Sequence, residues 1–289
     1  MNESLISVII PARNEAASLA ELLPTLRKIQ PQAEIIVVND GSMDDTTRVC
    51  SASGVKVVTH PYSMGNGAAV KSGARAARGD ILVFMDADGQ HDPNDIPRLL
   101  EKLEEGYDMV VGARSRDSQA GMYRALANGA YNKLASWMTG KNVDDLTSGF
   151  RAVRAEKFRK FLYLLPNGFS YPTTITMAFF RSAYPIAYIP IKTAKRKGAS
   201  NISLIKDGIR FFVIILKIGA LFSPMRLFLP ISLLFFLIGA SYYSYTYIMY
   251  NRLTIMSALL FIASMLIFLL GILSEQVSAL HYRRNNEGK

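Results

Sequence analysis

Short apolar runs alternate with segments of helical period through the first two thirds of the chain. Leu5 to Ile10, Ala33 to Val38, Val55 to Val58, Ile81 to Met85 and Asp108 to Gly112 are compact β-rich runs and predict strands. Between them, Ala16 to Ile29 places Leu19, Leu22, Leu23 and Leu26 on one helical face, Ala68 to Ala77 is alanine-rich, and Pro93 to Glu105 opens with a proline suited to a helix N-terminus. Strands and helices in alternation predict an α/β domain over residues 1–200 with a mainly parallel sheet. In such sheets ligands bind beyond the carboxyl ends of the strands.

The pattern then changes. Leu227 to Tyr250 and Ile255 to Leu273 carry no charged residue and are separated only by Asn251, Arg252, Leu253 and Thr254. Each run meets the roughly 20 residues that cross about 30 Å of hydrocarbon, which predicts a two-helix transmembrane hairpin over 227–273 rather than two core helices. Pro230 is expected in the first turn, where its missing N–H costs least. Before the hairpin, Ile202 to Phe222 within the 201–226 region is strongly apolar yet carries three cations. Lys206, Arg210 and Lys217 fall within about 40° of one another on a helix, predicting an amphipathic helix in the membrane surface. A third span is the alternative that these cations oppose. Residues 274–289 form a basic tail. Lys206, Arg210, Lys217 and Arg226 precede the hairpin and Arg283, Arg284 and Lys289 follow it, against Arg252 in its loop, so the α/β domain and both termini are expected on the cytoplasmic side of the inner membrane.

Composition narrows the chemistry. With 33 Lys+Arg against 23 Asp+Glu the formal charge is +10, but part of the excess is juxtamembrane and no aromatic-basic platform accompanies it, so nucleic-acid binding is not expected. One cysteine and three histidines cannot make an internal disulfide or a Cys/His zinc site. The N-terminus lacks the basic start and the length of a signal peptide, and a reducing cytosolic face is the default.

Polar clusters follow the strands where a ligand is expected: Pro11-Ala12-Arg13-Asn14-Glu15, Asn39-Asp40-Gly41-Ser42 and Asp86-Ala87-Asp88-Gly89-Gln90-His91-Asp92-Pro93. Each alone reads as a turn or helix cap. Together they converge on one edge. Asp86 and Asp88, two apart at a strand end, can face one small volume, and two close carboxylates suit Mg²⁺ or Mn²⁺ shared with substrate phosphates.

These motifs, with Ser148-Gly149-Phe150-Arg151, Arg196-x-Gly198-x-Ser200 and the C-terminal hairpin, resemble the GT-A-fold family 2 glycosyltransferases. Within them, the resemblance is to the polyprenyl-phosphate transferases related to dolichyl-phosphate mannose synthase. It implies a Rossmann-like GT-A fold and inverting transfer of one sugar from a UDP- or GDP-sugar to a polyprenyl phosphate, undecaprenyl or dolichyl, at the cytoplasmic membrane face. It implies further that Pro11, Glu15, Asp40 and Asp86 hold the donor nucleotide, with Asp40 facing the base, and that Asp86, Asp88 and Gln90 hold Mg²⁺ or Mn²⁺. Arg114 is expected near the phosphates, and Arg114, Arg124, Asn128 and Arg196 around the acceptor phosphate, with Asp88, Arg114 and Arg196 taking part in catalysis. Ordinary surface charge is the competing account of Arg124 and Asn128.

A lipid phosphate, its second pKa near 6, is largely deprotonated at neutral pH, so no strong general base is required. Asp88 or Asp145 remain candidates to orient or assist. The chain lacks Gln-x-x-Arg-Trp, which argues against a processive polysaccharide synthase, and Ser170-Tyr171-Pro172-Thr173-Thr174 is neutral where many relatives are acidic. Gly65-Asn66-Gly67 lacks the third glycine of a dinucleotide fingerprint. Two alternatives stand beside the main reading: a hydroxyl acceptor, which needs a working base, and a non-catalytic nucleotide-sugar-binding membrane scaffold. Gly239, Ala240 and Gly271 permit helix packing between protomers in a homo-oligomer.

Overall fold

The computed structural model describes residues 5–114, 122–168, 170–194, 220 and 223–286, the side chains of 122–128 and 281–286 excepted. The interfacial helix expected over 201–226 lies outside the described residues apart from Ala220 and the stretch from Ser223 on. The chain divides into two compact units, one formed by the residues up to Asn201 save 138–140, the other chiefly by those from Ile202 onward.

In the first unit the order is β1 (Ile6–Ala12), α1 (Ala16–Ile29), β2 (Glu34–Asn39), α2 (Thr46–Ala52), β3 (Lys56–Thr59), α3 (Asn66–Ala76), β4 (Ile81–Phe84), a 3₁₀ turn (Pro93–Asp95), α4 (Ile96–Glu104), β5 (Met109–Arg114), α5 (Met122–Thr139), β6 (Arg151–Arg154), α6 (Ala155–Arg159), α7 (Tyr171–Arg181) and β7 (Ile186–Ile191). The strands form one seven-stranded sheet in the order β3-β2-β1-β4-β6-β5-β7. All pairings are parallel except those of β6, which runs antiparallel between β4 and β5.

Burial explains the strand sequences. Val8, Ile9 and Ile10 of β1 have no exposed surface, because helices cover both faces of a parallel sheet and a continuous apolar run results. The predicted stripe of α1 is the buried one: Leu19, Leu22, Leu23 and Leu26. On the other side α3 lies close to β1, since a Cβ on Gly73 would stand 2.4 Å from Ile9 Cγ2. Truncating Leu26, which is fully buried, to alanine would cost about 2–5 kcal/mol.

The sequence pattern missed two strands. Arg-Ala-Val-Arg in β6 is too short and too basic to show a period, and Pro190 interrupts β7. That proline is tolerated because β7 lies at the edge of the sheet, where no ladder partner needs its N–H.

The second unit is a helical hairpin of α8 (Pro224–Tyr250) and α9 (Ile255–Asn286), turned at Asn251, whose left-handed φ of 49° asparagine accepts readily. Both helices are long and apolar enough to cross a membrane. Leu233, Leu237, Leu266 and Leu273 are more than half exposed along them. Between the helices, the Ser232 and Ser264 hydroxyls each donate to the other's carbonyl at 2.9 Å, which satisfies both in an apolar setting.

Two expectations are corrected here. Helix α8 begins at Pro224, so Pro224 holds the first turn and Pro230 lies inside the helix, because the Ser223-Pro224 start precedes the uncharged run. The segment from residue 274 is no separate tail as far as Asn286, since α9 continues through it.

Candidate active site at the carboxyl edge of the sheet

The loops after β1, β2 and β4 meet at one sheet edge around a cleft of about 430 Å³. Pro11, Glu15, Asp40, Asp86 and Asp88 all line it, so the structure brings together the residues expected at the donor nucleotide. The first two loops are tied side by side. Asn14, at a left-handed φ of 56°, takes a bond from the Met43 N–H and gives its own N–H to Ser42 Oγ, while the Thr46 hydroxyl accepts the Glu15 N–H.

Asp40 holds the loop after β3 in place. Its Oδ1 stands 2.7 Å from His60 Nδ1 and takes the Met64 N–H at 2.8 Å; its Oδ2 takes the Ser63 hydroxyl at 2.8 Å and the Gly65 N–H at 2.9 Å. Burial pushes its carboxyl pKa up, but these bonds outweigh burial and hold it below the usual carboxylate value. A carboxylate offers about four lone-pair sites, and these four contacts fill them. The expected contact with a base therefore requires one of the four donors to be given up. His60, one of three histidines in the chain, was missed; its place just past a strand end was the available signal.

Asp145 is satisfied in the same way. The Arg114 guanidinium reaches it through Nε at 2.8 Å to Oδ2 and Nη2 at 2.9 Å to Oδ1, and the Arg114, Thr147 and Ser148 N–H groups add to it. Burial would raise the Asp145 pKa, but the Arg114 hydrogen bonds and charge prevail and keep it low; in return Asp145 raises that of Arg114 against its own burial. Asp145 is thus a fixed anion, unsuited to accepting a proton. Arg114 does not line the cleft, and its Nε and Nη2 are committed to protein partners, Nη2 also donating to Thr147 Oγ1 at 2.5 Å.

Asp86 and Asp88 differ. The Asp86 side chain is 40% exposed, and its Oδ2 stands 4.0 Å from His91 Nδ1. His91 is buried and stacked on Phe150, ring centroids 5.0 Å apart, and its Nδ1 accepts the Asp86 N–H at 3.4 Å, which fixes the backbone below the carboxylate. Asp88 Oδ1 accepts the Gln90 N–H at 3.1 Å. A Cβ on Gly149 would lie 3.0 Å from Asp86 Oδ2, so glycine keeps that space open.

Among the described residues no group of three or more His, Cys, Asp or Glu could hold an ion alone. Two carboxylates facing a cleft nonetheless fit Mg²⁺ or Mn²⁺, which usually take one or two carboxylates and complete their shell with water and substrate phosphate. Gln90, expected as a third ligand, turns its amide Nε2 to the Ala194 carbonyl at 3.5 Å, and its own carbonyl accepts the Ala194 N–H at 3.0 Å. Arg196 lies outside the described residues, as do the side chains of Arg124 and Asn128, whose backbone belongs to α5.

Because β6 is antiparallel, the chain approaching it, Asp145 to Phe150, reaches the same edge as the ends of β4 and β5, with Arg151 opposite Phe84. There a second cavity of about 90 Å³ lies between Thr147 and Gly149 on one wall and Ser170 to Thr173 on the other; Asn66 and Asp86 line both cavities.

Residues 7–162 match the model of glycosyl transferase family 2. This chain belongs to that family. Residues 223–280 match the model of the GtrB C-terminal hairpin. An undecaprenyl-phosphate mannosyltransferase of Micrococcus luteus is 34% identical over 217 residues, 68% of this chain and 87% of that protein. An undecaprenyl-phosphate 4-deoxy-4-formamido-L-arabinose transferase of Edwardsiella ictaluri is 32% identical over 212 residues, 70% of this chain and 64% of that protein. Among solved structures, glucosyl-3-phosphoglycerate synthase of Mycobacterium tuberculosis with Mn²⁺, UDP and glucosyl-3-phosphoglycerate superimposes with a TM-score of 0.61 at 25% identity, over 75% of this chain and 80% of that one. The fold is the GT-A fold, and the chain is a glycosyltransferase.

Proposed function

We propose that this family 2 transferase moves a single sugar from a nucleotide-sugar donor to the phosphate of a polyprenyl phosphate, with inversion at the anomeric carbon. The observation that carries the reading is a cleft ending in Asp86 and Asp88 on a chain that also has an apolar hairpin of membrane length. The names of the Micrococcus and Edwardsiella relatives support the acceptor, and the Mn²⁺ and UDP of the Mycobacterium structure support the donor and metal.

Pro11 and Glu15 would flank the nucleoside, with Asp40 fixing the loop beside it, and Asp86 and Asp88 would hold the cation. A bound Mg²⁺ or Mn²⁺ would neutralise the charge that grows on the departing diphosphate. Arg114 would add positive charge felt by Asp86, its orientation set by Asp145. Because Asp145 is a paired anion, an acceptor that arrives already deprotonated suits this site better than a hydroxyl. The acceptor phosphate is assigned to Arg124, Asn128 and Arg196 with Arg114. The hairpin would anchor the catalytic unit at the cytoplasmic face of the inner membrane, as the flanking Arg226, Arg283 and Arg284 favour.

The test is transfer of radiolabel from UDP-glucose, UDP-galactose, UDP-N-acetylglucosamine, UDP-N-acetylgalactosamine and GDP-mannose into undecaprenyl phosphate, with Mn²⁺ and with EDTA. One donor is expected to give a metal-dependent product that partitions into organic solvent. Equal activity on a polyprenol lacking its phosphate would replace the proposed acceptor by a hydroxyl. Silence from the whole panel while the protein still binds nucleotide would count against sugar transfer to lipid phosphate.

A further inference from the structure

Helix α5 is shared by the two compact units: its residues up to Trp137 belong with the first, whereas Met138 to Gly140 belong with the hairpin. We propose that Arg226, in the first turn of the hairpin, is a positioning residue for transfer to the acceptor. It holds the carboxyl end of α5, the helix that carries Arg124 and Asn128 and braces the segment around Asp145. The inference rests on the proposed reaction, and it gives the hairpin a part in the acceptor side of the chemistry as well as in anchoring.

The end of α5 calls for a donor from elsewhere. A helix leaves its last carbonyls without intrahelical donors, and its carboxyl end favours a cation. The last turn of α5 contains no basic residue. Arg226 Nη1 donates to the Met138 carbonyl at 3.0 Å, and Ser223 Oγ donates to the same oxygen at 3.1 Å. Gly140 leaves the helix at a left-handed φ of 71°, and a Cβ there would stand 3.4 Å from Arg226 Nη1, so the guanidinium lies over the helix end. Both donors are placed by α8. Ser223 stands just before Pro224 yet does not cap its own helix, its hydroxyl being turned to Met138. Glu275 Oε2 of α9 instead accepts the Met225 N–H at 3.5 Å, an anion at a helix N-terminus. A Cβ on Gly271 would lie 2.8 Å from Phe228 Cβ, so the start of α8 sits close against α9.

What α5 holds at its other turns gives the cap a consequence. Asn132 Nδ2 donates to the Asp144 carbonyl and its Oδ1 accepts the Leu146 N–H at 3.0 Å, while Ser136 Oγ accepts the Val143 N–H at 3.0 Å. The 143–146 segment is therefore strapped along α5, and Asp145 within it orients Arg114. Toward the amino end, the backbone of α5 carries Arg124 and Asn128. At about 1.5 Å per residue, Arg124 and Met138 lie about 21 Å apart along one helix, so a shift or tilt at Met138 is passed to both groups. Misplacing a group that positions substrate by about 1 Å can cost about a hundredfold in rate. Arg226 itself is exposed, so its bond contributes little to stability, and its effect should appear in the kinetics of the acceptor.

The experiment compares the full-length wild type, Arg226→Ala, Arg226→Lys and Ser223→Ala in detergent, where retention in a membrane plays no part. The KM for undecaprenyl phosphate and kcat are measured with the donor that the wild type accepts, alongside equilibrium binding of UDP with Mn²⁺ and the melting temperature. Arg226→Ala is expected to raise the acceptor KM about tenfold, with UDP binding within about twofold and the melting temperature within about 2 °C of the wild type. Arg226→Lys should recover most of that loss, since an ammonium can replace the single Nη1 contact, and Ser223→Ala should raise the KM about threefold. An unchanged acceptor KM in both alanine variants would overturn the proposal. So would loss of UDP binding in step with transfer, or a lower melting temperature with normal kinetics, because a purely structural cap acts in that way. A wild type that binds UDP but gives no lipid product would defeat the transfer reading and this inference with it, whereas product from the wild type with indifferent Arg226 variants would defeat the inference alone.

Discussion

Asp40 and Asp145 stand on the same sheet edge as Asp86 and Asp88, yet the two pairs are built oppositely. The side chains of Asp40 and Asp145 are 6% and 3% exposed and surrounded by donors, whereas that of Asp86 is 40% exposed and stands 4.0 Å from His91 Nδ1. A saturated carboxylate holds loops together and stays ionised. One that faces a cleft can still meet a cation. The same residue type can therefore serve as scaffold or as ligand, and in the proposed reaction Asp86 and Asp88, which line the cleft, hold the cation while Asp40 and Asp145 hold the frame.

The largest effect should come from the pair that lines the cleft. Asp86→Asn or Asp88→Asn is expected to lower sugar transfer by about a hundredfold or more, as removal of transition-state charge stabilisation does, while the melting temperature moves by no more than about 2 °C. Retained activity within tenfold in both variants would break the contrast. Asp145→Asn should do the reverse. Breaking the ion pair leaves the Arg114 cation partly buried, at a cost of about 3 kcal/mol, the low end of the range because Arg114 is 27% exposed. For a unit of this size that corresponds to a melting point about 6–12 °C lower, read by thermal denaturation.

A smaller effect is expected at Gly149, where an added methyl would press on Asp86 Oδ2 at 3.0 Å. Gly149→Ala should raise the Mn²⁺ concentration needed for half-maximal activity about tenfold, equivalent to roughly 1.4 kcal/mol at the ion. An unchanged metal requirement would mean that Asp86 yields to the methyl at no cost to the ion.

The smallest effect is a pH dependence of stability. Asp40, Asp145 and Glu34 all have folded-state pKa values below their ordinary ones, Glu34 because the Arg78 N–H, Ser7 and Lys56 outweigh its burial. Groups depressed in the folded state contribute stability that is fully present above the unfolded value, about 4, and lost as pH falls through the lower folded values. Denaturation midpoints should thus be flat from neutral pH down to about pH 5 and fall below it, with a shallower fall in Asp145→Asn.

How much of this was legible in the sequence follows from the range of each interaction. The first five strands, the stripe of α1 and the hairpin are written in local periodicity, and the structure contains them within a few residues. The convergence of Glu15, Asp40, Asp86 and Asp88 was legible too, because a parallel sheet places strand ends together whatever the details. Strand β6 was not, since four residues carry no period, and without it the arrival of Thr147 and Gly149 beside Asp86 could not be read. Nor was the division among the aspartates. Asp40 draws its donors from His60, Ser63, Met64 and Gly65, and Asp145 from Arg114, each brought near only by tertiary folding.

The most direct test of this division is titration of Mn²⁺ into the full-length protein with saturating UDP, followed by electron paramagnetic resonance, in the wild type, Asp86→Asn and Asp145→Asn. The account predicts one tightly bound ion in the wild type, loss of that ion in Asp86→Asn, and its retention in folded Asp145→Asn at a temperature below that variant's melting point. Tight binding that survives in Asp86→Asn and disappears in Asp145→Asn would contradict it.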